Sequence, residues 1–241
     1  MDEKKNPLTR PGFVLAACFM AVLVVVALVL VLRPADQAKT ASPAGSTSTP
    51  LSSPTSVGQD SRCGLAAGDQ AVPASGPAAD WQMVGRLAAP VTANAGPAVI
   101  DADGWRYCYA HSPTGAVVAA ANLYALSSAG DHAARAVREL TVPSQERNTL
   151  MGLQEQAGQD VIQEQAATVP AKQVVGFRLA TYDEAAATVE LLLRFPSGDL
   201  GSSPVKVEWV EGDWLYDLPD NLDPAFEYPP DSVGFITWGA S

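Results

Sequence analysis

Hydrophobic positions along the chain fall into three regimes. Residues 12–32, GFVLAACFMAVLVVVALVLVL, are 21 positions without a charge, about 32 Å of helix at about 1.5 Å per residue, which matches the hydrocarbon core of a bilayer. A soluble helix apolar on every side would need a partner surface all round it, so a transmembrane helix is predicted over 12–32, after a short head at 1–11. Residues 33–62 hold many Ser, Thr and Pro and no aromatic residue. They cannot bury enough apolar surface to offset ordering entropy, and a disordered linker is expected there. From Cys63 apolar residues recur at helical and strand periods, and one folded domain is expected over 63–241.

Within that domain, Asp103-Gly104 separates two apolar stretches, and Asp-Gly predicts a two-residue hairpin turn because both positions favour positive φ. Trp105, Tyr107 and Tyr109 alternate after it as on a half-buried strand. Ser112-Pro113 reads as a helix start, with the hydroxyl accepting from free backbone amides and Pro tolerated in the first turn; the helix should run to about Ser128. A second helix is expected from Asp131, as its cap, to Leu140. A third opens at Pro143-Ser144 and carries Leu150, Leu153, Ala157 and Val161 on one face, ending before Pro170. The period then changes. Val174–Tyr182 and Ala186–Phe195 are strand-like, and Val205, Val207 and Trp209, then Trp214 and Tyr216, alternate around Glu211-Gly212. Helices followed by a run of hairpins predict an α+β fold in which a curved antiparallel sheet packs its apolar face on the helices.

A cleavable signal peptide would have a shorter apolar region ending at a small-residue site, whereas Arg33-Pro34 follows directly. Leu15-Ala16-Ala17-Cys18 has the look of a lipidation motif, but the apolar stretch continues past Cys18, which therefore reads as a lipid-facing residue. Lys4, Lys5 and Arg10 before the span, against Arg33 and Lys39 after it, favour the head inside and the bulk of the chain outside. The domain then holds Cys63 and Cys108, an even count outside the cytoplasm, and these are expected to pair as a disulfide; the alternative is two buried thiols.

Charge removes one class of function. From Cys63 there are 22 acidic and 9 basic residues, so the domain has no electrostatic footprint for nucleic acid or anionic headgroups. Asp217, Asp220, Asn221 and Asp223 lie in the most acidic stretch but lack the spacing that arranges oxygens around calcium, so no metal site is expected. No motif for a zinc protease, a nucleophile elbow, a phosphate loop or a dinucleotide is present. His111 beside Ser112 is weighed as a base and nucleophile pair and assigned instead to capping and packing; His132 is expected to face solvent. Trp209, Trp214 and Tyr216 would either line a pocket or fill a core, and the latter is preferred. The segment 234–240, GFITWGA, is expected to pack back onto its own domain. No catalytic residue and no cofactor are assigned.

The order of elements and the segment VKVEWVEGDWLYDLP, with Gly212-Asp213-Trp214 at a hairpin, resemble the nuclear-transport-factor-two-like, cystatin-like cone over about residues 105–220. Head, span, tether and outer domain together resemble the bitopic scaffold subunits of type IV secretion and conjugation machines. Cys108–Ala125, CYAHSPTGAVVAAANLYA, is similar to membrane-anchored proteins of actinobacterial integrative elements. These resemblances imply a cell-membrane protein with a cytoplasmic N-terminus and an extracytoplasmic, non-enzymatic domain. It would be an accessory or scaffold part of a DNA-transfer or secretion apparatus. Its expected partners are the membrane, other envelope proteins and further copies of itself. The alternative is a tethered small-molecule-binding or enzymatic cone. An envelope sensor is disfavoured because the head is too short for a signalling module.

Overall fold

The computed structural model describes residues 60–168, 170–222, 225–228, 230–231 and 233–240. The predicted span at 12–32, Cys18 and the linker up to residue 59 lie outside the described residues. Among the described residues no helix is long and apolar enough to cross a membrane.

The described chain is α+β. Two hairpins come first, β1 (Asp80–Val84) with β2 (Leu87–Val91) and β3 (Val99–Ile100) with β4 (Arg106–Tyr107). Four helices follow: α1 (Pro113–Ser128), α2 (Ala133–Glu139), α3 (Gln145–Ala157) and α4 (Gln159–Thr168). The last part is a sheet of β5 (Gln173–Tyr182), β6 (Ala186–Arg194), β7 (Leu200–Val210), β8 (Asp213–Asp217) and β9 (Ile236–Thr237). Its order is β8-β7-β6-β5-β9 and all of its pairings are antiparallel.

The sheet follows from period-two patterning. Ala187, Val189, Leu191 and Leu193 of β6 and Val205 and Val207 of β7 are buried, while alternate residues are less so. Two register shifts in β5, at Val174/Gly176 and Leu179/Thr181, are irregularities of the kind that bend a strand. Against the buried face lies α1, buried on nearly every side: Ala116, Val117, Val118, Ala119, Ala120, Ala121, Ala125 and Leu126 are fully inaccessible. Each buried Val or Leu contributes about 1.5–3 kcal/mol, and the alanines let the backbone approach closely. Asn122, the polar exception, donates to the Pro90 and Val118 carbonyls at 2.9 Å each, tying β2 to the helix. Ser112 caps α1 as predicted, its Oγ accepting from the Gly115 amide at 3.0 Å.

Several expectations change. The hairpin at Asp103-Gly104 is not a two-residue turn. Asp101 N–H donates to the Trp105 carbonyl and Gly104 N–H to the Asp101 carbonyl, leaving a three-residue loop with Gly104 at φ 90°, and the Asp103 carboxylate accepts from the Trp105 amide at 3.1 Å. The strand after it is not half-buried: Arg106, Cys108 and Ala110 are buried with Trp105 and Tyr109, because it runs between layers. Asp131 does not cap α2. His132 occupies that position without a side-chain cap bond. The single third helix is two, broken at Gly158, whose φ of 78° no right-handed helix continues through. The β1–β2 hairpin was not legible: Pro90 in β2 cannot donate to a ladder and argues against a strand, and the turn residue Gly85 (φ 58°) is the one local signal. The domain also begins earlier than Cys63, since Ser61 is buried and the Arg62 amide donates to the Gly212 carbonyl at 2.8 Å.

Candidate functional site

Cys63 and Cys108 form a disulfide across 45 residues, with Cα atoms 6.2 Å apart. The chain can present Cys108 there because β4 stops at Tyr107 and Cys108 adopts φ 70°, a left-handed conformation costly for a residue with a Cβ. What holds it is Asp213, on the far side of the Glu211-Gly212 turn. Its carboxylate accepts from the Cys108 amide at 2.8 Å, the Tyr109 amide at 2.9 Å and its neighbour Trp214 at 3.0 Å, and Arg62 reaches it at 3.2 Å. Complete burial pushes this carboxyl above its ordinary value, while those amides and the guanidinium pull the other way. The Gly-Asp-Trp turn is thus a structural clasp that fastens the start of the domain onto its sheet.

Beyond the clasp the chain passes under Trp214, whose Nε1 donates to the Ala110 carbonyl at 2.9 Å, and reaches His111. The imidazole stacks on Trp209 with centroids 4.0 Å apart and planes 7° from parallel, and Trp214 meets it edge-on at 5.7 Å. Its Nε2 lies 2.6 Å from the Glu184 carbonyl, which fixes the proton on Nε2, and its Nδ1 is buried without a partner. The Ser112 hydroxyl is engaged with the Gly115 amide, so His111 and Ser112 are not aimed at a common point. Tyr182, on the other side of Trp214, has its phenol pushed up to about 12 by burial and then by Glu184 and Asp183. The arrangement is an aromatic stack filled by protein.

His132 does not face solvent. It is buried, with Nε2 3.1 Å from the Asp103 carbonyl and its ring 5.9 Å from Trp105, because the hairpin loop folds over it. Trp209 and Trp214 belong to the packed stack, whereas Tyr216 borders a cleft of about 200 Å³ with Leu123, Leu140 and Leu218. Asp217 pairs with Lys206. Among the described residues no three His, Cys, Asp or Glu side chains converge to hold a metal. The segment Gly234–Ala240 folds back as predicted: β9 pairs with β5, and Trp238 packs on Trp81 at 5.0 Å and Phe177 at 5.5 Å.

An open feature that the sequence did not reveal lies under α3 and α4. These helices bury no residue of their own. They are fixed at their ends, where Ser144 caps α3 at 3.0 Å, Arg147 donates to the Val137 carbonyl at 3.2 Å, and Arg86 donates to the Ala167 carbonyl at 2.7 Å. Between those anchors a groove of about 490 Å³ separates the arm from α1 and α2, with Leu150, Leu153, Ala157, Ile162, Ala133 and Ala166 in its walls. Of the apolar stripe predicted at Leu150, Leu153, Ala157 and Val161, the first three line the groove, while Val161 lies beyond the break at Gly158 and Ile162 takes its place in the wall. That the face would stay uncovered was not visible in the sequence, since periodicity reports a face and not its partner.

A family model described as a domain of unknown function, DUF8175, matches residues 40–237. No curated protein and no solved structure matches the chain. With the match extending over most of its length, the chain belongs to the DUF8175 family.

Proposed function

We propose that this is a single-span membrane protein whose extracytoplasmic domain works by protein contact, as an accessory or scaffold component of a DNA-transfer or secretion apparatus. The observation that carries this reading is the use to which His111 is put. The residue best suited to acid–base chemistry lies between Trp209 and the Glu184 carbonyl, beside a serine engaged as a helix cap. An uncovered apolar groove elsewhere on the domain, by contrast, is a contact surface. The uncharged stretch at 12–32 and the disulfide support an anchor with the domain on the oxidising side. The five-stranded sheet packed on α1 supports the cone assignment.

The test is photo-crosslinking in cells from single surface positions, with p-benzoylphenylalanine replacing Met83, Leu153 or Val233 in turn; all three side chains are exposed. Adducts with envelope proteins are expected from at least one position. Absence of adducts from every position in cells competent for transfer would overturn the reading.

A further inference from the structure

A strand at the edge of a sheet offers unpaired N–H and C=O groups to any other strand, and proteins cover or guard such edges. The five-stranded sheet follows that rule. Along the outer edge of β8 the Tyr216 amide donates to the Leu140 carbonyl at 2.8 Å and the Val142 amide to the Tyr216 carbonyl at 2.9 Å. On β5, β9 covers Gly176 and Phe177, and the stretch beyond is broken by the register shift at Leu179/Thr181. In the first hairpin, β2 is guarded by Pro90, which has no N–H and whose carbonyl accepts from Asn122 at 2.9 Å.

Strand β1 has none of these guards. Its five residues, DWQMV, pair with β2 in unbroken register and include no Pro or Lys, and Met83 is 65% exposed. Gly85, at φ 58°, opens a two-residue turn between Val84 and Leu87. Hydrogen-bonded pairs then fall at Val84 with Leu87, Gln82 with Ala89 and Asp80 with Val91, and the residues between them point their backbone groups the other way. Trp81 and Met83 therefore turn N–H and C=O outward, and among the described residues no backbone bond from outside the hairpin reaches them.

The edge is complementary to itself. Two copies of β1 laid antiparallel about a two-fold axis at Gln82 overlap over all five residues. Trp81 of each copy then lies opposite Met83 of the other, and each such pair exchanges two backbone hydrogen bonds and brings a thioether to an indole. Asp80, the one charged residue of the strand, falls opposite Val84 and not opposite a second carboxylate.

We propose that the domain pairs with a second copy of itself edge to edge through β1, making a continuous antiparallel sheet in the order β2-β1-β1-β2. The pairing goes beyond the transfer or secretion reading and does not depend on it. Because each domain carries 22 acidic against 9 basic residues, the two bodies repel, and added salt should strengthen the dimer by screening.

The experiment uses the full-length chain in uncharged detergent, with Cys18→Ala and a single new cysteine, Gln82→Cys or Met83→Cys. Position 82 meets itself across the axis in a non-hydrogen-bonded pair, with Cα atoms about 4.5 Å apart and within disulfide reach. Position 83 meets 81 and lies too far from its own copy. Mild oxidation should give a covalent dimer from position 82 and not from 83 on non-reducing electrophoresis. Sedimentation of the chain without these cysteines should show a dimer that tightens with salt. Met83→Pro removes an outward N–H while leaving every bond to β2, and should weaken the dimer about tenfold or more with the circular dichroism unchanged. Met83→Lys guards the same edge without altering the backbone and should act in the same direction. A monomer at every concentration, a dimer indifferent to both substitutions, or equal crosslinking from 82 and 83 would overturn the proposal. A monomer whose positions 153 or 233 still give envelope adducts in cells would overturn the edge pairing and leave the protein-contact reading standing.

Discussion

Asp213 accepts the backbone amide of Cys108 at 2.8 Å across 105 residues of chain, and this one bond explains why a cysteine sits in a left-handed conformation at the end of β4. Asp213→Asn would place an amide N–H₂ where a carboxylate oxygen now accepts, leaving a buried backbone donor unpaired. It should cost about 1–3 kcal/mol, measured as a lower urea midpoint with the disulfide intact.

The disulfide and the carboxylate act on the same point of the chain. Reducing Cys63–Cys108, or replacing both residues with serine, releases a 45-residue closure worth about 4 kcal/mol in the chain-entropy model. The Arg62–Asp213 contact should loosen with it. Unfolding with and without reductant measures the first effect, and amide exchange at Cys108 and Tyr109 measures the second.

Two glycines predict opposite outcomes. A Cβ on Gly115 would lie 1.8 Å from the Ala110 carbonyl oxygen, whereas a Cβ on Gly152, in α3, meets nothing within 4 Å. Gly115→Ala should severely impair folding, since backbone cannot yield. Gly152→Ala should raise stability by up to about 1 kcal/mol through helix propensity. Thermal melts of the two variants would show the contrast.

Alkaline titration has a defined sign. Burial holds the phenols of Tyr109, Tyr182 and Tyr216 above 10.0, Tyr182 at about 12. In the unfolded chain each ionises near 10, so between pH 10 and 12 the folded state keeps protons that the unfolded state has lost. The stability tied to these neutral phenols is complete below pH 10 and is lost as pH rises toward 12. The phenolate absorbance of Tyr109, Tyr182 and Tyr216 should appear late, together with or after loss of structure.

Much of the architecture was readable because its signals are local. The Ser112 cap, the alternation of Val189, Leu191 and Leu193, and the turn at Glu211-Gly212 depend on spacing within a few residues. What escaped depended on contacts distant in sequence. Asp213 in the sequence is one acidic residue among many, and only the fold brings it to Cys108. Arg106, flanked by aromatics, is buried with its guanidinium donating to Gly104, Asn122 and Gln82, and burial lowers its proton affinity. The arm was readable as a helix with an apolar face, but the groove between it and α1 and α2 arises from the tertiary arrangement and has no signal in the local pattern.

We propose that residues 12–32 hold the acidic domain on the outer side of a membrane, and the rest of the functional reading depends on it. The most direct measurement is limited proteolysis of intact cells by a protease that does not cross the membrane, followed by non-reducing electrophoresis. Cleavage within 33–59, releasing the domain with its Cys63–Cys108 bond closed, is the result expected. A domain degraded only after the cells are opened, with both thiols free, would contradict the assignment.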